Sequence, residues 1–123
     1  MIGWLALSED YNKNPAKVNE FCAEADRVSR AFDTFFARNG YLSVLLCPPF
    51  PRRAPLHRAM YVAPYNLLYT AMWNALHMPA CVVPMGLVGG LPVAIQLVGA
   101  QGTDALLVAL ALHIGNLSGG WRA

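Results

Sequence analysis

Between residues 59 and 103 the chain carries no formal charge. Inside that span lie two short apolar runs, 80–83 and 93–98, separated by a stretch rich in proline and glycine. Strands this apolar must be covered on both faces, because an antiparallel strand with one wet face alternates polar and apolar residues. The rest of the chain supplies little covering material. This mismatch predicts the end of a larger α/β enzyme.

Bulk composition sharpens the conflict. Hydrophobic residues make up 56% of the 123 positions and charged residues 13%, against about 25% charged in an ordinary soluble domain. A chain of this length forms at most one domain and buries roughly two thirds of its unfolded surface. An exposed apolar patch is therefore expected, of the kind that marks an interface. Fourteen of the sixteen charged residues fall in the first 58 positions, and the net charge is only +2. That charge gives no case for nucleic acid as a partner. Arg52, Arg53 and Arg58 cluster beside prolines, which reads as a solvated loop or as a peripheral contact with lipid headgroups or an acidic ligand.

Local signals divide the chain into elements. Asn14-Pro15 opens a helix over 15–38, with asparagine as cap and proline at the first helical position. Val18, Phe21, Cys22, Ala25, Val28, Phe32, Phe35 and Phe36 recur at steps of three and four along it. Glu24–Arg27 and Asp26–Arg30 are spaced to pair on its wet face, and Asn39-Gly40 stops it. A β-prone run follows over 41–47, then a proline- and arginine-rich loop. A second helix is expected over 63–76, opened at Pro64, with Tyr65, Leu68, Tyr69, Met72 and Leu76 at helical spacing. The strands at 80–83 and 93–98 come next, joined by a turn longer than two residues, so their register is not fixed by the sequence. Thr103 caps a third helix carrying Leu106, Leu107, Leu110, Ala111 and Ile114. The order predicts an α/β architecture: a partial mixed sheet of about three strands with three covering helices.

Chemistry is sparse. None of Ser8, Ser29, Ser43 and Ser118 lies in a Gly-x-Ser-x-Gly turn, and the only lysines, Lys13 and Lys17, border an amphipathic helix. His57, His77 and His113 show no metal-ligand spacing, and no glycine-rich phosphate loop leads into a helix. Cys22, Cys47 and Cys81 lack metal spacing and read as reduced core residues of an intracellular protein. The first seven residues are apolar but too short, and too close to Glu9-Asp10, for a signal peptide. The prolines and glycines of the uncharged span argue against a membrane-crossing helix. No catalytic residue, metal site or cofactor is expected; the protein is read as cytoplasmic or peripheral at a membrane.

Several motifs together give this gap a meaning. Asn74-Ala-Leu-His-Met-Pro-Ala80, Val83-Pro-Met-Gly86, Gly90-Leu-Pro-Val-Ala-Ile-Gln-Leu-Val-Gly99 and Asp104-Ala-Leu-Leu107 resemble the carboxyl-terminal part of the amidase signature family. Leu45-Leu-Cys-Pro-Pro49 and the helix before it look like that family's preceding helix and strand. Phe50-Pro51, Ala54-Pro55, His57, Asn66, Tyr69-Thr70 and Gly119-Gly120-Trp121 are similar to its fatty-acid amide hydrolase branch. The resemblance implies residues 1–123 as the carboxyl-terminal segment of an incomplete amidase domain. Its members cleave amide bonds with a serine, a second serine joined by a cis peptide, and a lysine, drawn from a Gly/Ser-rich segment and an upstream lysine that have no counterpart in this sequence. The implied partners are the missing amino-terminal half or a full-length amidase, with a small amide as substrate only in the complete enzyme. The alternative is a non-catalytic module that docks on such an amidase. Tyr65, Tyr69, Met72 and Trp73 are the candidate substrate-lining residues, as one wall of an acyl pocket; the alternative for them is ordinary helix packing.

Overall fold

The computed structural model describes residues 14–57 and 64–119, without the side chains of residues 64 and 65. Helix α1 (Pro15–Arg38) begins where expected, with the Asn14 side chain accepting from the Lys17 N–H at 3.4 Å. It ends at Asn39, after which Gly40 takes φ +76°, the left-handed conformation that glycine adopts without penalty. Of the two expected ion pairs on its outer face, Glu24–Arg27 forms at 2.5 Å. Asp26–Arg30 does not form among the described residues.

Strand β1 (Leu45–Cys47) follows. The expected second helix is split into a 3₁₀ turn, Pro64–Leu67, and α2 (Leu68–Ala75). Strands β2 (Ala80–Val88) and β3 (Leu91–Val98) and helix α3 (Asp104–Leu117) complete the order. Thr103 precedes α3 but does not cap it through its side chain; its hydroxyl donates back to the Ala100 carbonyl at 2.7 Å.

The sheet order is β1-β3-β2. Both ladders are antiparallel, with Cys47 opposite Gln96 and Val82 opposite Gln96 from the other side. The α/β arrangement of three strands and three covering helices is present, and no parallel member of a mixed sheet is among these three. The β2–β3 connection is shorter than expected. Gly89 and Gly90 alone make the turn, at φ +59° and +77°, as a two-residue primed hairpin turn requires. Both strands extend to meet it, and a register shift between Pro84 and Gly86 absorbs one extra residue.

Strand alternation sorts the core into two layers. Phe36, Trp73, Leu76, Met78, Val98 and Ala100 are buried on the face covered by α1 and α2. Val83, Leu97 and Leu107 are buried under α3 on the other. The layers are thin. Val18, Phe21 and Phe35 of α1 and Val82, Leu87 and Val88 of β2 remain exposed, so the expected apolar patch is real. Cys22 is exposed and Cys47 and Cys81 are half-buried, which removes Cys22 from the core. Among the described residues, no helix is long and apolar enough to cross a membrane.

Candidate functional site

The four candidate residues on the second helix separate in space. Met72 and Trp73 are consecutive, and successive helical residues point about 100° apart. They therefore cannot face one wall. Trp73 turns inward, is 4% exposed, and meets Phe32 edge-on with ring centroids 5.7 Å apart. Met72 turns outward and lines an apolar groove of about 470 Å³ between α1 and α2. The opposite wall is Phe21, Ala25 and Val28 of α1, and Leu68 closes the near end. Tyr69 is exposed and does not line that groove. The Tyr65 side chain lies outside the described residues.

The α1 half of this groove was legible only as a helical stripe. Its residues repeat at the spacing of a buried face, yet nothing in the described chain covers Phe21. A stripe on one helix signals burial but does not say which stretch of it faces a ligand or a neighbour.

Polar groups anchor the groove from below. Gln96, on the middle strand and 1% exposed, donates from Nε2 to the Tyr69 carbonyl at 3.4 Å and so ties α2 to the sheet. Its Oε1 and the Trp73 indole nitrogen are buried without a hydrogen-bond partner among the described residues. Cys47 sits opposite Gln96 in the ladder. Burial pushes its thiol above the ordinary range, and the nearby Trp73 indole offsets this in part. A raised thiol is the reverse of what an activated nucleophile needs.

Every described serine hydroxyl donates to a backbone carbonyl. Ser29 donates to Leu76 at 3.0 Å, Ser43 to Asn39 at 2.8 Å and Ser118 to Gly115 at 3.0 Å. None is hydrogen-bonded to a histidine or lysine side chain as an activating base. His57, His77 and His113 are exposed. Among the described residues, no group of three His, Cys, Asp or Glu is placed to hold a metal ion. The arrangement can bind apolar matter along the groove; it contains no assembled nucleophile and base.

Comparison with known proteins gives this scaffold its context. The family model described as Amidase matches residues 1–108. Human fatty-acid amide hydrolase 2 is 31% identical over 121 residues, 98% of this chain and 22% of the relative. Zebrafish (Danio rerio) fatty-acid amide hydrolase 2-B is 33% identical over 119 residues, 95% of this chain and 22% of that one. The chain thus spans about a fifth of the length of these relatives. In structure it is similar to the glutamyl-tRNA(Gln) amidotransferase of Thermotoga maritima, with TM-score 0.72 and 23% identity, covering 94% of this chain and 25% of the other. That likeness concerns the fold. With the family model matching most of its length and the helix–strand–hairpin–helix order in place, the chain belongs to the amidase signature family.

Proposed function

We propose that this chain is the carboxyl-terminal part of an amide hydrolase acting on fatty-acid amides, and that it is inactive by itself. The observation that carries this is the pairing of family membership with serines committed to structural hydrogen bonds. In the complete enzyme a serine supplied by the missing amino-terminal half attacks the amide carbonyl. The amine leaves, and water cleaves the acyl-enzyme. Nothing in this chain enters those steps as nucleophile or base.

Its contribution is a wall. Met72, with Phe21 and Val28 across the groove, presents apolar surface suited to an acyl chain, and Tyr69 and Tyr65 continue that helix. Trp73 supports the wall from beneath through its contact with Phe32. The unpaired outer edge of β2, with Val82 and Leu87 exposed, favours a partner that adds strands: the amino-terminal half or a full-length amidase. The same edge is what a non-catalytic module docking on such an amidase would use. Three unpaired cysteines support an intracellular setting, cytoplasmic or peripheral at a membrane.

The test is turnover of oleamide and of an aryl amide by the purified chain, alongside light scattering on a sizing column. No turnover and a self-associated or partner-bound species are expected. Amide hydrolysis by the chain alone would contradict the first claim, and a clean soluble monomer would contradict the second.

A further inference from the structure

We propose that the cleft between the 48–57 loop and the start of β3 binds a carboxylate-bearing amphiphile, a small ligand with an apolar body and one anionic head. The cleft has a volume of about 440 Å³, within the usual range of roughly 300–1,000 Å³ for small-molecule sites. It shares no lining residue with the groove between α1 and α2, and the proposal does not depend on the function assigned to that groove.

Its walls are of two kinds. Pro49, Phe50, Pro51, Pro92 and Val93 are apolar, and the prolines hold the loop without offering backbone N–H groups. Arg52 and Arg53 supply the polar part. Neither guanidinium has a hydrogen bond or ion pair among the described residues. No acidic residue occurs between Asp33 and Asp104, so the local sequence holds no carboxylate to neutralise them. Arg53 also reaches the hairpin turn: a Cβ built on Gly89 would stand 2.7 Å from its Nη1. The side chain thereby spans from the loop to the β2–β3 turn and bounds one end of the cleft.

Paired guanidiniums present planar, forked donors that match a carboxylate. The apolar walls select for a ligand that carries hydrocarbon beside that head. A bare anion would leave Phe50 and Val93 unused. A lipid surface is less well matched, because membrane-binding basic clusters hold about four to eight Lys or Arg and the cleft holds two.

Equilibrium dialysis of the 123-residue chain against labelled octanoate tests this, with octanol, inorganic phosphate and phosphatidylglycerol vesicles as comparison probes. Octanoate is expected to bind, with octanol and phosphate each about tenfold weaker, the factor expected for losing one charge-assisted contact or the apolar one. The double variant Arg52→Gln/Arg53→Gln should lose octanoate binding while its circular dichroism stays unchanged, because both side chains are exposed. Phe50→Ala should weaken octanoate severalfold and leave phosphate alone. Octanoate binding that survives the double variant overturns the proposal. So does phosphate binding as tight as octanoate, or binding to vesicles without binding to octanoate.

Discussion

The Ser29 hydroxyl donates to the Leu76 carbonyl at 3.0 Å across 47 residues of sequence. It joins the middle of α1 to the residue that ends α2, and Gln101 Nε2 approaches the same hydroxyl oxygen at 3.4 Å. A serine in the apolar stripe of a helix is thereby a structural tie, and three segments meet at one buried hydroxyl. Ser29→Ala leaves the Leu76 carbonyl without this donor and is expected to cost about 1–2 kcal/mol. Urea denaturation followed by circular dichroism reads the loss. Thr34→Ala, which removes an exposed hydroxyl bonded to the Arg30 carbonyl, should stay within about 0.5 kcal/mol of the parent.

The hairpin turn gives a prediction about backbone alone. Gly90 sits at φ +77° with open space where a Cβ would be, so no steric neighbour complicates a substitution. Gly90→Val should destabilise by about 1–2 kcal/mol through left-handed strain, whereas Gly90→Asn should cost far less, since asparagine tolerates that region. The difference between the two urea midpoints is the measurement.

Cys47 predicts a pH dependence. Its folded thiol is raised by burial, so folding favours the protonated form. The stability it contributes is fully present below the unfolded thiol's pKa and is lost as pH rises through the higher folded value. Alkylation of Cys47 by iodoacetamide, located by mass spectrometry, should accelerate with a midpoint above that of the urea-unfolded chain. A midpoint equal to or below it contradicts the burial account.

Opening the groove should be read in binding rather than stability. Met72→Asp places a carboxylate between Phe21, Val28 and Leu68. Because Met72 is 44% exposed, the fold should persist, and the groove's capacity for an uncharged apolar dye should fall at least several-fold. Dye fluorescence titration of parent and variant decides it.

The helices were legible where local chemistry punctuates them. Asn14-Pro15 and Asn39-Gly40 bracket α1 to the residue, because caps act through neighbours in sequence. The hairpin was not legible for a related reason. Pro84, Gly86 and Pro92 look like breaks, yet each has a place in the ladder. Pro84 lies on edge strand β2 beside the register shift, and Pro92 lies where β3 has β2 as its only neighbour, since β1 reaches no further than Gln96. The site was half legible. Helical spacing marked α2 as apolar, but only packing against Phe32 decides that Trp73 turns inward and Met72 outward. The cleft at Arg52 and Arg53 depends on the hairpin folding back to the loop, a contact that local pattern does not encode.

The central claim is that this chain supplies walls and sheet while the reacting groups come from elsewhere. Labelling with a serine-directed fluorophosphonate tests it most directly, because the reagent reacts only where a hydroxyl is activated. The purified chain should label no more than its heat-denatured control. Covalent modification of Ser29, Ser43 or Ser118 in the folded chain, absent after denaturation, would contradict it.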